Sequence, residues 1–158
     1  DALAQGARRI GHGVRVYEDF NATMSGIELG QVARFMRDQR IALEICPTSN
    51  TQTGICDDVA EHPFGLLYEM GFLCTVNTDN RLVSDVSLTD ELYLLAETFG
   101  YSLSELLDLQ LNAAEAAFLS VDEREDLAEI LVAGWGEVIS GDAVGPVLEE
   151  LDDEDEDD

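Results

Sequence analysis

The stretch "LCTVNTDN", Leu73 to Asn80, passes from apolar residues straight into four adjacent polar side chains. A short apolar run bounded this way reads as a buried strand. Its polar end, Asn77-Thr78-Asp79-Asn80, is either a turn or the rim of a functional site. Two upstream segments repeat the pattern. "ARRIGHGV" (7–14) has an apolar centre and closes on Gly-His-Gly; "IALEICPTSN" (41–50) is largely apolar up to Cys46 and polar from Pro47. The polar ends fall near positions 12, 48 and 79, just over thirty residues apart. That is the length of one strand–helix unit in a parallel α/β protein.

Helices are expected between the strands. Ser25 and Glu28 have capping-box spacing, followed by Leu29, Val32, Phe35 and Met36 on one helical face. Pro63 suits a first helical turn, Phe64, Leu66, Leu67 and Met70 follow, and Gly71 suits the end. After residue 80 the chain turns helical. Ser87 and Asp90 open a segment holding Leu88, Leu92, Leu95 and Phe99, which Gly100 ends. Ser102 and Glu105 open "LSELLDLQLNAAEAAFL" (103–119), whose leucines are expected in the core. A further helix is expected from Asp122 to Ala133, stopped by Gly134. "GWGEVISGDAVGP" (134–146) reads as a loop, with Trp135 a packing residue. Nine of the ten residues from Glu149 to Asp158 are acidic, and such a block is expected to be a disordered tail. The reading therefore divides the chain into a folded part, 1–134, and a loop with acidic tail, 135–158.

Charge excludes some partners. The net charge is −26 and all eight basic residues are arginines. The last 37 residues carry −15 of it, and the rest is still acidic. Phosphate backbones and anionic membrane surfaces would be repelled, so neither nucleic acid nor membrane is expected as a partner. No apolar run approaches the length of a membrane span. Cysteines at 46, 56 and 74 are odd in number and form no CxxC pair. They signal neither a disulfide framework nor a cysteine zinc site, and read as reduced thiols of a cytoplasmic protein.

Parallel strands with polar ends belong to a doubly wound sheet or to a (β/α)8 barrel, and in both the chemistry sits at the C-terminal strand ends. Neither GxGxxG nor a P-loop occurs. His12 closes the first strand and Asp79 the third. Taken singly, each is an ordinary turn or cap residue. Together, an imidazole and a carboxylate at matched strand ends suit a metal-assisted hydrolase. His62, before Pro63 at a helix start, reads as a cap-region residue and not as a ligand.

"RIGHG" (9–13), "LEICPTSN" (43–50) and "VNTDN" (76–80), in this order and spacing, resemble adenosine deaminase and its close relatives. "LNAAEAAFL" (111–119) resembles the segment behind that family's last barrel strand. The likeness covers about residues 8 to 133. It implies a (β/α)8 barrel with one catalytic zinc, of which this chain would hold the last three strand–helix units followed by C-terminal helices. Asp79 matches the family's aspartate zinc ligand, which also contacts the attacking water. His12 matches a histidine that is not itself a ligand but hydrogen-bonds the attacking hydroxide. Asn80 falls where many members carry a second Asp touching purine N7. An Asn amide donates to that acceptor at any pH, whereas an Asp must first hold a proton. Gly11 and Gly13 would let backbone approach the substrate closely. Ser49 and Asn50 either line the pocket or cap the following loop.

The resemblance also implies an HxH pair, a further zinc-binding histidine and a glutamate proton donor, and none of these occurs in this chain. The chain opens on Asp1 rather than Met and reads as a C-terminal piece, inactive alone. The reaction implied for the complete protein is hydrolytic deamination of adenosine or 2′-deoxyadenosine to inosine or deoxyinosine and ammonia, in purine salvage. Two other readings stay open. One is a related adenine, AMP-type or modified-adenosine deaminase. The other is a non-catalytic acidic interaction module.

Overall fold

The structure, a computed structural model, describes residues 2–141. Its centre is a parallel sheet of three strands, β1 (Arg9–Gly11), β4 (Ala42–Ile45) and β5 (Cys74–Val76), in the order β1-β4-β5. Leu43 is the shared rung, opposite Ile10 on one side and Cys74 on the other. A parallel sheet covered on both faces needs apolar side chains at nearly every position. Accordingly all of β5 is buried, and Leu43 and Ile45 are fully inaccessible. The three apolar runs read from sequence are these three strands.

Each strand is followed by helix. α1 (Gln31–Asp38) separates β1 from β4, and α2 (Pro47–Gln52) with α3 (Phe64–Glu69) separates β4 from β5. α4 (Arg81–Ser84), α5 (Leu88–Phe99), α6 (Leu103–Ala116) and α7 (Val121–Ser140) follow. Phe64, Leu67, Leu95 and Leu109 have no accessible surface and pack with β4 and β5 in one core. Ser87 with Asp90, and Ser102 with Glu105, form complete capping boxes, and left-handed Gly100 closes α5. Asn112 of the "LNAAEAAFL" segment donates its amide to the Cys74 carbonyl at 3.1 Å, which ties α6 to the last strand. Leu106 and Leu109 are core as expected, but Leu103 and Leu119, near the two ends of that segment, are exposed.

Two expectations fail, each for a local reason. Ser25 and Glu28 do not start a helix. They belong to an antiparallel hairpin of β2 (Phe20–Thr23) and β3 (Gly26–Leu29), where Glu28 faces Asn21. The Thr23 hydroxyl bonds the Gly26 carbonyl at 2.8 Å and closes the two-residue turn. Leu29 is thus a strand residue. α1 begins after Gly30 and turns Ala33 and Met36 inward, leaving Val32 and Phe35 exposed. Its cap comes from before the hairpin: Asp19 Oδ2 accepts from the Ala33 N–H at 2.8 Å. Replacement of Asp19 by Ala is expected to lower stability by about 1 kcal/mol, the usual effect of losing a helix cap, seen as a lower urea midpoint of the complete protein.

The second failure is at α7. Gly134 and Gly136 lie inside the helix, which continues to Ser140 and ends at left-handed Gly141. The boundary expected at 134/135 therefore falls within a helix, and residues 135–140 are not a loop. An interior glycine weakens a helix by about 1 kcal/mol and does not break it. Here Ser120 and Glu123 form a capping box at the start, and Trp135 packs partly buried against the core. The acidic segment 149–158 lies outside the described residues. No helix among the described residues is long and apolar enough to cross a membrane.

Candidate active site at the C-terminal strand ends

The sheet ladder extends one residue past β1 and β5. The His12 N–H donates to the Glu44 carbonyl at 2.9 Å, and the Asn77 N–H to the Ile45 carbonyl at 2.9 Å. Just beyond these rungs the chain turns sharply. His12 (φ 56°) and Asp79 (φ 54°) both occupy the left-handed region. For a non-glycine residue that costs about 1 kcal/mol, and such strain gathers at functional sites. Gly13 follows at φ 66°, and a Cβ there would stand 2.6 Å from Leu43 Cδ2 in the core. Only glycine fits that corner. A Cβ on Gly11 would meet nothing within 4 Å, so that residue faces open space.

The two bends bring the expected pair together. His12 Nε2 lies 3.7 Å from Asp79 Oδ2, and each side chain is 43% exposed. They stand at the wall of a cleft of about 790 Å³, with Ser49 and Asn50 beside them and Ile10 and Met36 among its apolar lining. Ser49 and Asn50 lie in α2, started by Pro47 directly after β4. Both are buried and both reach the site, Asn50 also reaching His62 in the segment beyond α2. The Ser49 hydroxyl donates to Asp79 Oδ2 at 2.8 Å, and Asn50 Nδ2 lies 3.1 Å from His12 Nδ1. Asn80 is exposed. Its side-chain oxygen caps α4 by accepting from the Val83 N–H at 3.3 Å, which leaves its amide hydrogens for another acceptor.

Three neighbours of the site were not apparent from spacing. Cys46 is buried, and ligand atoms of His12, Cys46 and Asp79 all lie within 4.8 Å of one another. Burial pushes its thiol up to about 11, with the charges of Asp79 and Glu91 adding to the effect. Glu91, fully buried in α5, accepts from the Thr48 N–H at 3.2 Å and steadies the start of α2. Burial raises its pKa above the usual carboxylate range. His62, 4% exposed, accepts from the Phe64 N–H at Nδ1 (2.9 Å), the cap-like role read from sequence. Its other nitrogen meets Asn50 Oδ1 at 3.2 Å, which puts it one residue behind His12. Nothing in the spacing of His62 and Asn50 signals that contact.

The donor set fits a divalent cation of the zinc type. A carboxylate held by a hydroxyl is a common arrangement for such a ligand, since the hydrogen bond fixes which way the oxygens point. Asp79 has that support from Ser49. Cys46, protonated at neutral pH, is the weaker donor. Replacement of Ser49 by Ala should lower the metal affinity of the complete protein by about 10- to 100-fold. A competitive metal titration would measure it.

Comparison with known proteins bears on the fold and the family. The family model described as adenosine deaminase matches residues 1–133. The adenosine deaminase of Mycobacterium ulcerans (strain Agy99) is 48% identical over 128 residues, covering 80% of this chain and 35% of that protein. Adenosine deaminase 1 of Streptomyces coelicolor is 45% identical over 137 residues, covering 85% and 35%. The chain thus spans about a third of the length of the curated relatives it matches. Among solved structures, the N6-methyl-AMP deaminase of Arabidopsis thaliana superposes with a TM-score of 0.66 at 27% identity, over 82% of this chain and 35% of that one. An adenine deaminase from Arthrobacter aurescens (TM-score 0.70, 24% identity, 82% and 36% covered) has the same fold. So does an amidohydrolase from Burkhoderia ambifaria with bound Zn (TM-score 0.74, 17% identity, 89% and 36% covered). The three-stranded parallel arc is therefore part of a deaminase barrel, and the chain belongs to the adenosine deaminase family.

Proposed function

We propose that the complete protein containing this chain deaminates adenosine and 2′-deoxyadenosine hydrolytically, with one zinc, giving inosine or deoxyinosine and ammonia. The observation that carries this is the convergence of His12 and Asp79, 3.7 Å apart at the ends of β1 and β5. The relatives named adenosine deaminase, at 45–49% identity, support the substrate class.

Zinc, when bound, supplies Lewis acidity and a nucleophilic water at neutral pH. The residues of this chain do the rest of what is visible. Asp79, oriented by Ser49, offers a carboxylate to the ion and a direction to the attacking oxygen. His12 sits beside that oxygen's place and orients it. Asn80 presents its amide hydrogens at the rim, where purine N7, purely an acceptor, would receive one. The apolar lining of the cleft gives the flat base a surface to lie on. Water adds at C6, the amino group leaves as ammonia, and a ring carbonyl remains. The free thiols of Cys46, Cys56 and Cys74 and the purine substrate of this reading support a role in cytoplasmic purine salvage.

A second reading has a specific motive. Two solved structures of this fold carry the names adenine deaminase and N6-methyl-AMP deaminase, and Asn80 stands where the motif resemblance implies a second Asp. Ammonia or methylamine release from adenine, adenosine, 2′-deoxyadenosine and N6-methyl-AMP by the complete enzyme would decide. Adenosine and deoxyadenosine are expected to have the highest kcat/KM; a preference for the free base or the nucleotide would overturn the first reading.

A further inference from the structure

We propose that His62 and Asn50 form a positioning relay that fixes the proton of His12 on Nε2, the ring nitrogen facing Asp79. The inference rests on the deaminase reading for its purpose and on the hydrogen bonds alone for its content.

The relay has a fixed direction because one end is backbone. The Phe64 N–H can only donate, and it donates to His62 Nδ1 at 2.9 Å. His62 is buried away from water, and burial drives its pKa down to about 4, so it carries a single proton. That proton must sit on Nε2, 3.2 Å from Asn50 Oδ1. With its oxygen engaged, the Asn50 amide turns its nitrogen to His12 Nδ1 at 3.1 Å. An amide nitrogen only donates. His12 Nδ1 is therefore the acceptor, and the ring's proton is held on Nε2, 3.7 Å from Asp79 Oδ2.

Other arrangements break a bond somewhere in the chain of contacts. Turning the amide round sets its NH₂ against His62 Nε2, which must then be bare. The His62 proton would move to Nδ1 and face the Phe64 N–H, two donors in a buried place. A proton on His12 Nδ1 would face the Asn50 NH₂ in the same way. The buried pair thus decides which nitrogen of the half-exposed ring is the donor. His12 meets the attacking oxygen as a hydrogen-bond donor, aimed at the spot that Asp79 addresses from the other side. Asn50 and His62, both buried, are positioning residues that act through His12.

The test uses the complete enzyme labelled with 15N-histidine. The signals of His12 and His62 are identified by their loss in His12→Gln and His62→Gln. The expected spectrum shows Nδ1 of both rings in the bare-nitrogen range and Nε2 in the protonated range. Asn50→Asp replaces a donor with an acceptor of the same shape. His12 should then take a proton on Nδ1, and kcat should fall by about 10- to 100-fold with KM little changed. A protonated Nδ1 on His12 in the unmutated enzyme overturns the relay, and so does a folded Asn50→Asp enzyme with unchanged ring shifts. Should Asn50→Asp fail to fold, the unmutated spectrum decides alone. An enzyme that deaminates no purine would sink the functional reading, while the ring shifts would still decide the relay.

Discussion

Asp79→Asn in the complete enzyme is expected to remove both turnover and bound zinc. The substitution keeps the shape and loses the anionic ligand. Ser49 would still find an oxygen to bond, so the left-handed bend at residue 79 and the folding of β5 should persist. The fall in kcat/KM should be at least about a thousandfold, the scale on which losing one well-placed catalytic group falls. His12→Ala separates the two roles. It should lower turnover comparably and leave zinc content near one per enzyme, because His12 is read as an orienting group and not as a ligand. Metal analysis beside steady-state kinetics would measure both. Unchanged turnover in both variants would overturn these roles, and absence of turnover in the unmutated protein would favour the non-catalytic acidic module.

The second large effect concerns the 158 residues alone. They are expected to release no ammonia from adenosine and to show no submicromolar stoichiometric zinc in a calorimetric titration. A catalytic zinc takes three protein ligands. Among the described residues the one candidate group is His12, Cys46 and Asp79. Cys46 must lose a proton to join it, and burial, which pushes its thiol up to about 11, opposes that at neutral pH. His12 would need a bare Nε2 to ligate a metal, whereas the Asn50 amide donating to Nδ1 leaves the ring's proton on Nε2. Tight, stoichiometric binding would show that these three donors form a site by themselves and would change the assignment of His12.

Much of this was legible in the sequence, for a physical reason. Strands buried on both faces must be apolar along their length and become polar where they reach the rim, so "ALEI" and "CTV" with their polar sequels announced both strand and site. The hairpin was missed because Ser25 and Glu28 carry the same spacing in a two-residue turn as in a capping box. What actually starts α1 is Asp19, reaching across that hairpin, and a cap from fourteen residues away leaves no local signature. The glycines of α7 were over-read, since side chains packed elsewhere on a helix outweigh a weak interior position. In the site, His12 and Asp79 stood out by chemistry, but the bends that aim them are backbone angles that residue types do not disclose. His62 was seen as a cap and not as a neighbour of the site. Its contact with Asn50 depends on how the segment after β4 folds back, which the eleven intervening residues do not reveal.

The outer members of the sheet, β1 and β5, each have a single described neighbour, β4 lying between them. Each flank therefore keeps main-chain groups facing outward, apart from the Gly11 and Cys74 carbonyls, which accept from the Gly13 N–H and the Asn112 amide. A complement that satisfies only one flank leaves the other exposed, so ring closure should be all-or-none. Produced separately from the remainder of its enzyme, this segment should recover activity when the two pieces are refolded together, as a split enzyme does. The join would lie along hydrogen-bonded seams rather than across a loop.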